Sequence, residues 1–221
     1  MLILRWHKWL RGGSTRALAT LIATAILLSS PPLRGYDKHL TENDVREAYF
    51  FGQRHDQSVG QFFNRYERKT SGEGSDPHVR AIGIRTPYSS VVLRSYGNGN
   101  TYHEQRAQRD YAAKANLFEV AVWVNVPFDF PVNPKDPSLS RAANEIAKLF
   151  KVELTQGETA VPVKFTMPAL PEAQTEGGNI TGVQIYIEYD VRDVASAPAH
   201  VRVTGPEGLT AAADFDLSTL R

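Results

Sequence analysis

Between residues 117 and 126 the chain alternates without a slip. Phe118, Val120, Val122, Val124 and Val126 take one set of positions, and Glu119, Trp123 and Asn125 lie in the other. A period of two is that of a strand with one face on a core. A second alternation runs over 183–191, with Val183, Ile185, Ile187, Tyr189 and Val191 facing one way and Gln184, Tyr186, Glu188 and Asp190 the other. Shorter apolar runs at 150–154 and 161–167 predict further strands. Residues 201–204 and 209–215 flank Gly205-Pro206-Glu207-Gly208, turn chemistry that joins them as a hairpin. Strands of this kind, one face apolar and the other half-polar, predict a mainly antiparallel sheet whose second face meets solvent or a partner.

Upstream the period lengthens. Val45, Ala48, Tyr49, Gly52, Val59, Phe62, Phe63 and Tyr66 recur at helical spacing behind Thr41 and Asp44, a loose capping box. Asp56 falls inside the stripe and predicts two helices joined near residues 55–57. Residues 69–77 read as a loop and 79–86 as a strand carrying Ile82 and Ile84 on one face. Pro87 interrupts that strand; Val91, Val92 and Leu93 either continue it or open another element. Residues 96–100 are turn chemistry, after which Thr101 is expected to cap a helix reaching Ala115. Four prolines make 127–137 an extended loop, and Ser138 or Ser140 caps a short helix through Ala147. Residues 168–182 form the longest expected surface loop, in which Asn179-Ile180-Thr181 is a glycosylation sequon in form. The expected fold class is α+β: a helix-rich aromatic segment over 31–116, packed on or beside a sandwich-like β-rich segment over 117–221. The alternative is one α+β domain over 31–221.

Residues 1–30 stand apart. They carry Arg5, Lys8, Arg11 and Arg16 and no acid, then twelve apolar or small residues from Ala17 to Leu28, then Ser29, Ser30, Pro31 and Pro32. A basic start, a short apolar run and a polar break describe an export signal. The run is shorter than the roughly 20 apolar residues of a spanning helix. The segment is read as a cleaved signal, with a retained signal anchor as the alternative, and it fits bacterial export. The rest of the chain is then periplasmic, secreted or membrane-anchored facing outward, touching the membrane only through this segment if it stays uncleaved.

Charge adds to the picture chiefly through its distribution. The formal net charge is +1, but residues 1–30 hold +4, residues 31–116 hold +3 and residues 117–221 hold −6. The middle segment is too mildly basic for a nucleic-acid surface. There is no cysteine, which excludes disulfide scaffolds, thiolate metal sites and cysteine nucleophiles.

Candidate chemistry is sparse. His39, His55, His78, His103 and His200 match no metal-ligand spacing, and the adjacent pairs His55-Asp56 and His103-Glu104 diverge on a helix. Asp214 with Asp216, and Glu188 with Asp190, share strand faces at roughly 7 Å, a separation that suits paired carboxylates. Same-face spacing alone assigns neither pair a role. Asp129, Asp190 and Asp193 lack a calcium-binding loop, Gly97-Asn98-Gly99 is half of a dinucleotide fingerprint and reads as a turn, and no nucleophile elbow or phosphate loop occurs. No catalytic, cofactor or metal residue is assigned. Trp123, Tyr186 and Glu188 are the expected binding surface, on the polar faces of the two alternating strands. The resulting expectation is a non-enzymatic binding or interaction module of the cell envelope, its partner an envelope protein or a carbohydrate. The alternative is a small envelope hydrolase using an acid/base pair that chain order does not reveal.

Overall fold

The computed structural model describes residues 35–70, 77–126, 139–173 and 180–221. The export segment, the proline-rich loop at 127–137 and Asn179 of the sequon lie outside the described residues. Within them the fold is α+β, with five α-helices and ten strands. The helices are α1 (Glu42–Gly52), α2 (Gln57–Phe63), α3 (Pro87–Asn98), α4 (Glu104–Lys114) and α5 (Leu139–Ala147). The strands are β1 (Glu67–Lys69), β2 (His78–Arg85), β3 (Leu117–Asn125), β4 (Lys151–Gln156), β5 (Thr159–Ala160), β6 (Val163–Thr166), β7 (Leu170–Ala173), β8 (Ile180–Asp190), β9 (Pro198–Thr204) and β10 (Thr210–Asp216).

All strand pairings are antiparallel and build two sheets. Six strands form one, in the order β1-β2-β3-β8-β6, with β7 also on β8. Since β6 pairs with residues 187–189 of β8 and β7 with residues 180–184, the two make one broken edge. The other sheet runs β10-β9-β4-β5. The alternation in β3 and β8 has its cause here. Phe118, Val120, Val122, Val124, Val183, Ile185, Ile187 and Tyr189 belong to a buried core with Val152, Leu154, Val201, Val203 and Phe215 of the second sheet and Ala142, Ala143 and Ile146 of α5. Two sheets with apolar faces turned to one core explain the sandwich-like patterning. β1 and β2 belong to the same sheet as β3 and β8, so the change of sequence character at residue 117 falls within one sheet.

A second cluster gathers Val45, Ala48, Val59, Tyr88, Val91, Val92, Tyr102 and Ala107 from α1 to α4. Thr41 and Asp44 form the expected capping box at α1. The break between α1 and α2 falls at His55, where φ is +50°, and Asp56 caps α2.

Of the two readings at Val91, Val92 and Leu93, the one that opens another element holds, and three other local expectations are corrected. Val91 and Val92 lie in helix α3, because Thr86 and Ser89 form a capping box, Pro87 occupies the first turn, and burial of Tyr88, Val91 and Val92 outweighs the β-branched preference. That helix runs on through Gly97 and Asn98, so the turn begins at Gly99, where φ is +49°. α4 starts after His103 rather than Thr101, which lies in a 3₁₀ turn. Finally, β7 and the start of β8 occupy much of the expected 168–182 loop; Pro171 is tolerated because this is a sheet edge.

Candidate functional site: the outer face of the six-stranded sheet

The inner face of this sheet is spent on the core, so recognition chemistry is sought on the other. Directly paired residues in an antiparallel sheet share a face, and the register therefore sets outer-face side chains in rows. One row is Arg85, Glu119, Glu188 and Phe165 across β2, β3, β8 and β6. The next holds Gly83, Ala121 and Tyr186, and the third Ala81, Trp123, Gln184 and Leu170. Small residues make the floor. The Trp123 ring lies over Gly83, where an added Cβ would come within 2.9 Å of the ring, so the tryptophan seat requires glycine.

Between the aromatic groups runs a ladder of polar contacts. Arg85 Nη1 donates to Glu119 Oε1 at 2.7 Å, and its guanidinium stacks 4.8 Å from the centre of the Tyr186 ring. Tyr186 donates its hydroxyl to Gln184 Oε1, and Gln184 donates to Glu172, which also pairs with Arg80 at 2.9 Å. Lys114 stands 3.6 Å from Glu188. Asp190 receives the backbone and side chain of Arg192 and lies 3.4 Å from Lys164.

Glu119 is the electrostatically unusual member. Burial lifts its carboxyl above the ordinary glutamate range, Arg85 and Lys114 oppose that lift, and Glu188 adds to it. By contrast, the hydrogen bonds from Arg192 hold Asp190 well below the ordinary range. Glu119 and Glu188 line a hollow of about 40 Å³ between the sheet and helices α3 and α4, with Arg94, Tyr102, Asp110 and Lys114 also on its wall. Small-molecule sites measure about 300–1,000 Å³, so the hollow is far smaller than an ordinary substrate site.

The three residues expected as a binding surface, Trp123, Tyr186 and Glu188, do share this face, but unequally. Trp123 is half-buried, while Tyr186 and Glu188 are buried. More exposed than any of these are Phe165 and Leu170, at 55 % and 52 %, which strand alternation did not single out. Their signal was an apolar side chain in a proline-flanked stretch, a pattern shared by ordinary loops.

The other candidates do not converge. His200 Nδ1 meets Asp214 Oδ1 at 2.7 Å on the second sheet, with Asp214 largely exposed. Asp216 instead caps the 3₁₀ turn at Leu217–Thr219. His55 packs on Tyr96, His78 lies beside the Asn125 amide, and His39 and His103 are exposed. Asp193 is exposed, bonding through its backbone to Asp190, and Asp129 lies outside the described residues. Among the described residues no three His, Asp or Glu side chains form a group able to hold a metal ion, and no helix is long and apolar enough to cross a membrane. Neither a protein-family model nor a curated protein sequence matches this chain.

Proposed function

We propose that the protein is an exported, non-enzymatic interaction module of the cell envelope that docks a protein partner on the outer face of its six-stranded sheet. The observation that carries this reading is Phe165 and Leu170, more than half exposed, on the same face as Trp123 and the Arg85–Tyr186 stack. From Trp123 to Phe165 the face spans roughly 17 Å, from four residues of strand rise and two strand spacings. That is the scale of a macromolecular footprint. Small-molecule sites are concave, whereas this face is a strand surface floored by small residues. Trp, Tyr and Arg are the residues that most often anchor protein interfaces. The export half of the reading rests on the basic, apolar and Pro-terminated pattern of residues 1–32.

A second reading has one observation in its favour. Glu119 and Glu188 face one another across paired strands, and burial raises one of the two carboxyls, as in a hydrolase with an acid and a base. The small hollow beside them counts against it.

Photo-crosslinking in the intact envelope tests the proposal. A benzoylphenylalanine at position 165 or 170 is expected to give one discrete protein adduct. The same probe at Leu149, which is 47 % exposed and lies just beyond α5, is expected to give none. Identical patterns from all three positions, or no protein adduct at 165 and 170, contradict the proposal. Retention on isolated cell-wall glycan that is lost in Trp123→Ala makes the ligand a carbohydrate, and hydrolysis of that glycan lost in Glu119→Gln favours the second reading.

A further inference from the structure

The side chain of Arg221 is held as a ligand is held. The Arg221 guanidinium makes a two-pronged contact with Glu47, with Nη2 to Oε2 at 2.8 Å and Nη1 to Oε1 closer still, and Nη2 reaches Asp44 Oδ1 at 3.1 Å. Its plane lies 4.5 Å from the centre of the Tyr88 ring. The backbone is read as well. Arg221 N–H donates to the Tyr66 hydroxyl at 3.1 Å, and the Arg221 main-chain oxygen accepts from Tyr66 Oη and Thr86 Oγ1, each at 2.6 Å.

These groups come from separate places in the chain: α1, the turn before β1, the cap of α3 and the first turn of α3. Together they meet the charge, the fork, the flat face and the main-chain N–H and oxygen of one arginine. Fork-to-fork pairing and ring stacking distinguish a guanidinium from an ammonium. The neighbouring Leu217 and Leu220 are buried in the core between the sheets, so Arg221 ties that core to the helical cluster. Two features make the tie releasable. The Arg221 side chain is 30 % exposed, so the pocket opens to solvent. Its Nε is buried with no hydrogen-bond partner among the described residues, a defect that weakens the hold of the resident side chain.

We propose that Asp44, Glu47, Tyr66, Thr86 and Tyr88 form an arginine-recognition pocket, occupied in cis by Arg221 and able to accept an arginine residue of a partner in trans when Arg221 leaves. The pocket is separate from the sheet face and does not depend on the role given to that face. Asp44 is held below the ordinary carboxylate range mainly by its bonds with Thr41, which do not depend on Arg221 and stay in place when it leaves.

The test uses the full chain with Arg221→Ala, which empties the guanidinium seat while residue 221 keeps its main-chain bonds to Tyr66 and Thr86, and as arginine probe ethylguanidinium, which carries the guanidinium without a peptide group. A ligand that binds only the folded state raises its melting temperature. The variant is expected to show a saturable rise, with ethylammonium, the lysine-like probe, at least about tenfold weaker because its point charge matches neither the fork nor the ring. Adding Glu47→Gln to the variant is expected to weaken the arginine probe by about tenfold or more. The parent protein, its pocket filled, is expected not to respond over the same concentrations. No saturable rise in a variant with a native circular dichroism spectrum overturns the proposal. Equal responses to the two probes, or an equal response from the parent, do so as well. If Arg221→Ala does not fold, Arg221→Lys replaces it; there the arginine probe must displace the lysine and raise the melting temperature, and a flat response counts against the pocket.

Discussion

Replacing Val122 by alanine tests the division of the six-stranded sheet into a core face and a recognition face. Val122 has no solvent exposure and pairs with Ile82 on one side and Ile185 on the other, both buried in the same core. Two methyl groups are lost. At about 0.8 kcal/mol per methylene-sized group this amounts to about 1.6 kcal/mol, and an unfilled remainder of about 20 Å³ adds about 0.5 kcal/mol at roughly 24 cal/mol per Å³. The expected loss is about 2 kcal/mol. For a folded unit of this size that lowers the melting temperature by about 4–8 °C. Asn125 lies on the opposite face, half-buried, with its amide 3.3 Å from His78 Nε2. Asn125→Ala is expected to cost about 0.5–1 kcal/mol, the range of one ordinary hydrogen bond. Urea titrations of both variants, followed by circular dichroism, give the comparison. Equal losses, or a loss below about 0.5 kcal/mol for Val122→Ala, refute the assignment of faces.

Gly83→Ala puts a methyl group against the Trp123 ring and is expected to shift the tryptophan emission in a chain lacking residues 1–30, where Trp123 is the only tryptophan left; unchanged emission means the ring does not sit there. Tyr36 is buried against Phe118 with no partner for its hydroxyl among the described residues, so Tyr36→Phe is expected to raise the unfolding free energy by about 1 kcal/mol; a loss shows that the hydroxyl has a partner. Because Glu119 holds its proton to higher pH when folded, the native state binds more protons than the unfolded chain between the two pKa values. Its stabilising contribution is therefore complete below the unfolded value and is lost as pH rises through the folded one. Denaturant midpoints from about pH 4 to about pH 7, around the glutamate range, are expected to fall more steeply for the parent than for Glu119→Gln, and parallel curves contradict the raised carboxyl.

The elements legible in the sequence are those whose pattern comes from a single local cause. β3 and β8 alternate because each has one face on the core, and the Thr41–Asp44 box closes within four residues. Helix α3 was obscured because Val91 and Val92 favour strands in isolation, while the contacts that overrule them come from Val45 and Val59 far upstream. β7 was read as a loop because a proline-bearing edge strand and a loop have the same composition. The candidate site divides in the same way. Alternation alone put Trp123 on one face of its strand and Tyr186 with Glu188 on one face of theirs. Which of these faces lie together, and that Phe165 joins them, follows from the register between β3, β8 and β6, which no local pattern encodes. The Arg221 pocket joins residues up to 177 positions apart and left no trace in periodicity.

Recovery of the native complex by a chain carrying Phe165→Ser and Leu170→Ser together tests the docking face most directly. Both side chains are more than half exposed, so the unfolding midpoint is expected to stay close to that of the parent, while the crosslinked partner found from position 165 or 170 no longer co-purifies. An unchanged yield of the complex from a double variant of unchanged stability contradicts the outer face of the six-stranded sheet as the docking surface.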